Sequence, residues 1–310
     1  KIWGKKNIFI RNAKKYKLSI FNANQVGAQT ELIFDGGSLL VNPDGTIADE
    51  LNFFAEDYRI YQLEDLKKGR LKKHINDDPN VVEKIHDALV LGVRDYFKKM
   101  NLTKATLGLS GGIDSAVALV LASRALGPEN MRVLLLPSKY SSDHSLADAT
   151  KLAENLGIRY DIINIQPVVE SFEMSLKPIF KGLQADITEE NLQARARGTI
   201  LMALSNKFGH ILINTSNKSE SAVGYSTLYG DMAGGISILG DVYKSDVYKL
   251  ANYINSEKEI IPNNSIIKPP SAELRPDQKD SDSLPEYEIL DKVLFEYIEL
   301  QKTYDEIVAD

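Results

Sequence analysis

The sequence has no cysteine among its 310 residues, which excludes disulfide bonds, thiolate metal sites and a cysteine nucleophile within it. Its four histidines are scattered and offer no metal-ligand spacing. No run of roughly 20 apolar residues occurs, and the first residues lack the apolar core of a signal peptide. These absences argue against a membrane span and against export, so we expect a cytoplasmic protein.

Positive charge is also in deficit, since the formal net charge is -6. An acidic balance argues against a broad electrostatic footprint for nucleic acid or membrane, although a local basic site can still bind phosphate. A hydrophobic content of 43% is ample for a buried core. We therefore expect a globular protein with one large domain, alone or with a fragment of another, and a small-molecule partner.

Residues 1–64 differ in pattern from the rest of the chain. Short apolar or alternating runs are separated by turn sequences, notably Asp35-Gly36-Gly37 and Asn42-Pro43-Asp44-Gly45. The pattern predicts two or three strands, including a hairpin, which are too few for an independent stable sheet. Residues 65–80 are charged and nearly free of large apolar side chains, which indicates a linker.

From residue 81 onward, strand and helix patterns alternate. Such alternation predicts an α/β fold, with a parallel sheet covered by helices on both faces and ligands at the carboxyl ends of the strands. Residues 262–285 are rich in proline and polar side chains, which predicts a long irregular loop of the kind that is usually functional or disordered. The predicted helices lie at 79–100, 114–126, 145–157 and 189–209, and the predicted strands at 104–109, 131–137, 159–165 and 210–216.

The stretch "GLSGGIDS" at 108–115 joins a strand to a helix. Backbone N–H groups and the helix dipole at such a junction attract anions, and Gly111-Gly112 let the backbone approach a phosphate. The residues alone also allow an ordinary tight turn in which Ser110 or Asp114 caps the helix. An acid such as Asp114 among phosphates would be repelled unless a divalent cation intervened, so the pairing predicts Mg²⁺.

The same loop resembles the pyrophosphate-binding loop of the N-type ATP pyrophosphatases, which adenylate a carbonyl oxygen. Two later stretches, "NTSNKSESAVGYSTLYGD" and "KPPSAELRPDQKDSDSLP", resemble the glutamine-dependent branch of the NAD synthetases. "NANQVGAQTELIFDGGS", near the start of the chain, resembles the end of the nitrilase-like glutaminase domain that precedes the synthetase in that branch.

This resemblance implies an adenine nucleotide alpha hydrolase-like, Rossmann-like fold for residues 81–310, preceded by a short β-rich nitrilase-like fragment at 1–64. The glutaminase of the branch uses a Glu, a Lys and a Cys nucleophile, and we expect these to lie upstream of residue 1. We also expect a final basic segment of the family to lie beyond "QKTYDEIVAD". Glutaminase activity is therefore not expected from this chain alone.

The resemblance also implies the residues of the site. Asp114 and Glu220 would hold Mg²⁺, and Lys244 would meet the phosphates of ATP. Arg195 would contact deamido-NAD⁺, and since Arg197 lies about 200° further around a helix, only one of the two arginines is expected in the site. The expected ATP residues are Gly108, Leu109, Ser110, Gly111, Gly112, Ile113, Asp114, Ser115, Thr215, Lys244 and Ser271, and the expected deamido-NAD⁺ residues are Arg195, Glu220, Tyr225 and Leu228.

The activity implied is ATP-dependent amidation of deamido-NAD⁺ to NAD⁺ through an acyl adenylate, with ammonia derived from glutamine in the full-length enzyme. ATP and Mg²⁺ are the expected cofactors, and a homo-oligomer built through the synthetase domain is the expected assembly. One alternative is another N-type ATP pyrophosphatase, such as a GMP synthetase. The other is a truncated, non-catalytic nucleotide-binding module.

Overall fold

A computed structural model describes residues 2–29, 31–67 and 80–309. The chain divides into two compact units, Lys1–Met100 and Asn101–Asp310. The predicted linker at 65–80 falls mainly outside the described residues, so the domain boundaries inferred from the sequence stay predictions. No helix in the described ranges is long and apolar enough to cross a membrane.

The first unit combines short antiparallel strands with helices. β1, β4 and β5 form one sheet in the order β1-β4-β5, and β2 pairs with β3 in a separate hairpin. Its elements are α1 (Ile2–Tyr16), β1 (Ile20–Asn22), β2 (Val26–Gln29), β3 (Leu32–Asp35), β4 (Leu39–Val41), β5 (Ile47–Glu50), α2 (Leu63–Lys67) and α3 (Val81–Lys99).

This unit contains more structure than the predicted two or three strands. Each of its strands is only three or four residues long, which is too short for an alternating pattern to register clearly. Helix α1 was not predicted, because lysines crowd its sequence and dilute the apolar face. That face places Phe9, Ile10 and Ala13 against Leu39 and Val41 of β4.

Helix α3 packs on the β2–β3 hairpin within the same unit. Oδ2 of Asp95 accepts a hydrogen bond from the backbone N of Ala28 at 2.8 Å. A side chain at Gly92 would press on Ile33, so glycine lets the helix and the hairpin approach closely. Asn80 caps the helix by accepting from the N–H of Val82 at 2.7 Å.

The second unit is built on a five-stranded parallel sheet with the order β10-β9-β6-β7-β8. This confirms the predicted α/β fold class. The strands are β6 (Ala105–Gly108), β7 (Met131–Leu135), β8 (Arg159–Ile162), β9 (Ile211–Asn214) and β10 (Ile236–Ser237); the helices are α4 (Ile113–Leu126), α5 (Asp143–Leu156), α6 (Gln166–Leu176), α7 (Ile187–Phe208), α8 (Lys218–Val223), α9 (Lys244–Ile254), α10 (Asn263–Ile267), α11 (Tyr287–Leu294) and α12 (Tyr304–Ala309).

The boundaries of the main helices follow local signals. Helices α5 and α7 both end at a glycine in the left-handed conformation, Gly157 and Gly209, as the sequence predicted. Helix α4 is buried along most of its length, so it reads as an apolar run without a polar face. The predicted loop at 262–285 contains α10 and a single 3₁₀ turn at Asp280–Asp282.

Candidate active site

The glycine-rich turn lies between the end of β6 and the start of α4. Gly111 has a φ of 79°, and a Cβ there would collide with the carbonyl oxygen of Ser145, so this position requires glycine. Oγ of Ser115 donates to the carbonyl of Gly112 at 3.1 Å and lies 3.1 Å from Oγ of Ser110. The turn is therefore rigid.

Helix α4 starts without a side-chain cap. Its N-cap residue is Gly112, which has no side chain to accept a hydrogen bond, and Oγ of Ser110 accepts from the N–H of Gly112 itself at 3.2 Å. The alternative of an ordinary capped turn is therefore met in part, by Ser110 at the N–H of Gly112 and not by Asp114. The first N–H groups remain available for an anion, which the helix dipole also favours.

Asp114 instead points toward two distant segments of the chain. Nδ2 of Asn217 donates to its Oδ1 at 2.9 Å, and Nζ of Lys244 lies 2.5 Å from its Oδ2. Oε1 of Glu220 lies 3.5 Å from the same ammonium nitrogen. Two carboxylates thus share one ammonium group at the carboxyl edge of the sheet.

The local structure explains how these side chains are held. Asn217 is the N-cap of α8, where it accepts from the N–H of Glu220 at 3.0 Å, while the Glu220 carboxylate accepts from the N–H of Asn217 at 3.3 Å. This reciprocal capping box fixes both side chains. Lys244 is the first residue of α9 and only 2% of its side chain is exposed, so it is not a solvated lysine.

Burial and charge perturb the ionisation of this cluster. Burial, reinforced by the nearby carboxylate of Asp114, raises the pKa of Glu220 to about 8. Burial lowers the pKa of Lys244, but the carboxylates of Asp114 and Glu220 more than offset this and raise it above its usual range. The site therefore carries excess negative potential, which favours a bound cation.

Asp280 adds a buried carboxylate beside the half-buried Asp114 and Glu220. Its Oδ1 accepts from the hydroxyl of Tyr225 at 3.2 Å and its Oδ2 from that of Tyr287 at 2.8 Å. Burial and the charge of Asp280 raise the pKa of both tyrosines. The ring of Tyr287 also lies 5.2 Å from Nζ of Lys244, within cation–π range.

A cavity of about 310 Å³ joins the glycine-rich turn to the acidic cluster. Its apolar wall includes Leu134, Leu146 and Leu201, which suits a flat ring. Of the expected residues, those that line it are Gly108, Leu109, Ser110, Gly112, Ile113, Asp114, Ser115, Thr215, Glu220, Tyr225, Lys244 and Ser271.

Three expected residues are not among the described residues that line this cavity. Gly111 belongs to the turn itself but faces Ser145. Arg195 donates from Nε to the carbonyl of Leu228 at 3.2 Å, and Leu228 is 61% exposed. The assignment of Arg195 and Leu228 to the deamido-NAD⁺ site stays a prediction.

Arg197 lines the cavity instead. Its Nε donates to the carbonyl of Leu136 at 3.0 Å, and within the described part of the chain no carboxylate forms an ion pair with it. Burial lowers its pKa to about 10. The helical spacing predicted that only one of Arg195 and Arg197 enters the site, and this geometry agrees with that prediction. The resemblance, however, favoured Arg195, whereas the arginine in the cavity is Arg197.

Several site residues were missed by the sequence analysis. Asn217 had a readable signal, since an asparagine three residues before a glutamate at a helix start is a capping box. Asp280 and Tyr287 had none, because their approach to Lys244 depends on tertiary packing. Glu273 accepts hydrogen bonds from Ser142 and Ser145 and also lines the cavity.

Comparison with known proteins identifies the family to which the chain belongs. The NAD synthase family profile matches residues 85–310. The glutamine-dependent NAD(+) synthetase of Acinetobacter baylyi is 48% identical over 301 residues, which cover 96% of this chain and 55% of the relative. The Synechocystis enzyme of the same name is 46% identical over 306 residues, covering 98% and 55%. The chain thus spans about half the length of the curated relatives it matches.

Solved structures that resemble this chain indicate the same family. A glutamine-dependent NAD+ synthetase from Acinetobacter baumannii, in complex with adenosine diphosphate, superposes with a TM-score of 0.80 at 40% identity, covering 99% of this chain and 56% of that one. NMN synthetase from Francisella tularensis gives a TM-score of 0.64 at 31% identity, covering 74% and 91%. With a family match across more than half of its residues, the chain belongs to the NAD synthase family.

Proposed function

We propose that this chain catalyses the ATP-dependent amidation of deamido-NAD⁺ to NAD⁺, releasing AMP and pyrophosphate. The observation that carries the proposal is the convergence of Asp114, Glu220 and Lys244 beside the glycine-rich turn. In the longer relatives, whose names describe them as glutamine-dependent, glutamine would supply the ammonia.

ATP fits the cavity by its chemistry. The N-terminus of α4 and the N–H of Gly111 offer donors to the triphosphate, and Lys244 offers a positive charge. The N–H groups of Ser110 and Gly112 already donate to Oγ of Ser115 and of Ser110. The apolar wall formed by residues such as Leu134 and Leu201 suits the adenine ring. Thr215 and Ser271 lie on the cavity surface as further hydroxyl donors.

Asp114 and Glu220 are suited to Mg²⁺. Both are carboxylates, both face the same point, and the pKa of Glu220 is raised by burial and by the charge of Asp114. Mg²⁺ is usually held by one or two carboxylates, with substrate phosphates and waters completing its coordination. When bound, it would neutralise negative charge on the triphosphate and on the leaving pyrophosphate.

The residues of the chain then act by binding and charge stabilisation. A carboxylate oxygen of the nicotinic acid ring attacks the α-phosphorus of ATP, and the bond to pyrophosphate breaks. Lys244 and the N–H groups of the turn stabilise the charge that develops on the leaving group. Ammonia then attacks the acyl carbon, loses a proton, and AMP leaves. No side-chain nucleophile is needed, which agrees with the absence of cysteine from the chain.

We place deamido-NAD⁺ beside Tyr225, Arg195 and Leu228. Tyr225 lines the cavity next to Glu220, and the resemblance assigns Arg195 and Leu228 to deamido-NAD⁺.

Large apolar side chains such as Met174, Ile179 and Leu183 are more than two thirds exposed, which supports the expected homo-oligomer. The cytoplasmic location expected from the sequence stays a prediction.

The decisive test is a reaction with purified chain, ATP, Mg²⁺, deamido-NAD⁺ and ammonium. We expect AMP, pyrophosphate and NAD⁺ to form in equal amounts, and glutamine not to replace ammonium. Chain carrying Asp114→Asn serves as the control for contaminating synthetase. If ATP binds but neither AMP nor NAD⁺ forms, the chain is a non-catalytic nucleotide-binding module.

The similarity to NMN synthetase from Francisella tularensis, which covers 91% of that protein, supports a second candidate acceptor. A mononucleotide with a nicotinic acid ring would react at the same carboxylate. Parallel reactions with deamido-NAD⁺ and nicotinic acid mononucleotide separate the two, because only the preferred acceptor should give rapid AMP formation at low concentration.

A further inference from the structure

Helix α9 carries Lys244 at its first position but does not cap its own N-terminus. Its N-cap residue, Tyr243, provides no side-chain acceptor, although the first N–H groups of a helix need partners from elsewhere. The N–H of Lys244 donates to Oγ of Ser219 at 2.9 Å, and the N–H of Ser245 donates to Oδ2 of Asp291 at 2.8 Å. The cap therefore comes from two other helices, α8 and α11.

Asp291 controls both of these hydrogen bonds. Its second oxygen, Oδ1, accepts the hydroxyl hydrogen of Ser219. Because that hydrogen is committed to Asp291, a lone pair on the Ser219 oxygen faces the N–H of Lys244. Asp291, Ser219 and Lys244 are all buried, so water cannot substitute freely for any of these partners.

Helix α11 also touches the other end of Lys244. Tyr287 lies four residues before Asp291, and side chains four apart share one face of a helix. The Tyr287 ring lies 5.2 Å from Nζ of Lys244, and its hydroxyl donates to Asp280. One face of α11 thus contacts the ammonium group through Tyr287 and fixes the backbone through Asp291.

We infer that Asp291 is a positioning residue for Lys244. It fixes where α9 begins and thereby places the ammonium group against Asp114 and Glu220. The catalytic consequence rests on the proposed function, because it assumes that this ammonium meets the phosphates of ATP. The structural part, that Asp291 keeps Lys244 buried and in place, holds independently of the substrate.

Asp291→Asn is the primary test. Ser219 and the N–H of Ser245 donate to different oxygens of Asp291, so in asparagine at the same position the NH₂ group would face one of these two donors. We expect kcat for AMP formation to fall about tenfold or more, since small displacements of a catalytic group cost factors of that order. The KM for ATP should change far less, because the displaced interaction matters most in the transition state.

Two further variants separate positioning from general stability. Glu288→Gln removes the same charge from an exposed position of α11 and should leave kcat unchanged. Asp291→Glu keeps two acceptor oxygens and should recover part of the lost rate. If Asp291→Asn fails to fold, Ser219→Ala deletes the cap on Lys244 and the bond to Oδ1 of Asp291 while keeping the bond from the N–H of Ser245, and we expect it to lower kcat in the same way.

Amine acetylation mapped by mass spectrometry provides a readout that needs no activity. Lys244 is buried whereas Lys249 of the same helix is 60% exposed, so Lys244 should react far more slowly in the wild-type chain. We expect Asp291→Asn to speed the labelling of Lys244 and to leave that of Lys249 unchanged.

The outcomes are distinct. If wild-type chain forms no AMP, the proposed function fails, and labelling alone decides the role of Asp291. The positioning role is overturned if Lys244 stays protected in Asp291→Asn, or if Lys244 and Lys249 gain reactivity equally. In an active enzyme it is also overturned by an unchanged kcat.

Discussion

The ammonium nitrogen of Lys244 lies 2.5 Å from Oδ2 of Asp114, although 130 residues separate them in the sequence. Asp114 follows the glycine-rich turn and Lys244 begins α9, so the contact joins the carboxyl end of the sheet to a distant helix. A buried ion pair contributes little net stability over an apolar pair but is costly to break. Removing either partner should therefore disturb the site more than replacing an exposed charge would.

Asp114→Asn should abolish most of the activity while the chain still folds. Asparagine keeps the shape of the side chain but removes the charge suited to hold Mg²⁺ against the triphosphate. We expect turnover to fall by a factor of about a hundred or more, equal to about 2.7 kcal/mol of transition-state stabilisation. Steady-state AMP formation measures this, and Asp305→Asn, at an exposed position, is the matched control. Near-normal turnover with unchanged Mg²⁺ dependence would contradict the assigned role.

Glu220 should make the stability of the chain depend on pH. Burial and Asp114 raise its pKa from 4.5 to about 8, so between these values the folded chain keeps a proton that the unfolded chain has lost. The contribution of Glu220 to the free energy of unfolding should then decline with rising pH, by up to about 1.4 kcal/mol per pH unit, and level off above the folded-state pKa.

Urea titrations from about pH 5 to pH 8 can isolate this contribution. In Glu220→Gln the decline should be smaller than in the wild-type chain, because glutamine does not titrate. Glu257→Gln changes an exposed glutamate and should reproduce the wild-type profile. Parallel profiles for the wild type and Glu220→Gln would rule out the raised pKa.

Arg195 and Arg197 should affect different ligands. Arg197 lines the cavity and has no acid paired to it among the residues that the structure describes, whereas Arg195 bonds the backbone of exposed Leu228. Replacing Arg197 by Met should raise the KM for ATP by about tenfold or more, in line with loss of one charge-assisted hydrogen bond. Replacing Arg195 by Met should leave ATP binding unchanged and raise the KM for deamido-NAD⁺. The reverse pattern would exchange the two assignments.

Local signals determined how much of the fold could be predicted. The glycines that end α5 and α7 and the apolar runs of β6 and β7 specify those elements within a few residues, so their positions were predicted closely. Helix α1 and the short strands of the first unit were missed because their patterns are brief or diluted by lysine. Short elements that gain their stability from packing, as where Ala13 packs against Leu39 and Val41, leave little local signal in the sequence.

The residues of the site also fall into those with a local signal in the sequence and those without one. The turn Ser110–Gly112 predicts an anion site from the sequence alone, because such a site depends on local backbone geometry. The grouping of Asp114, Glu220 and Lys244 followed only from the resemblance, since no local rule brings these positions together. Asp280 and Asp291 were missed by both approaches, because their roles arise from helices and loops that meet only in the folded chain. For Arg197, the spacing left the choice between two arginines open, and the resemblance favoured Arg195.

The segment 268–284 should act as a cover over the reacting groups. Its Glu273 accepts from the N–H and Oγ of Ser142 at 3.2 and 3.1 Å and from Oγ of Ser145 at 2.5 Å. These contacts tie the segment to the N-terminus of α5, where a carboxylate is favoured by the helix dipole. Polar segments of this kind bury little apolar surface, so their closure depends on such specific bonds.

Glu273→Gln should therefore open the segment, together with Ser271, while the glycine-rich turn, Asp114 and Lys244 stay in place. Water would then reach the acyl adenylate and hydrolyse it to deamido-NAD⁺ and AMP, so the amount of AMP formed per NAD⁺ should rise above one at saturating ammonium. Amide hydrogen exchange across 268–284 should rise with it. Asp277→Asn changes an exposed acid in the same segment whose φ of 52° asparagine tolerates well, and it should keep the ratio at one. A ratio that stays at one in Glu273→Gln, with faster exchange in the segment, would show that the segment opens without admitting water and that exclusion of water has another source.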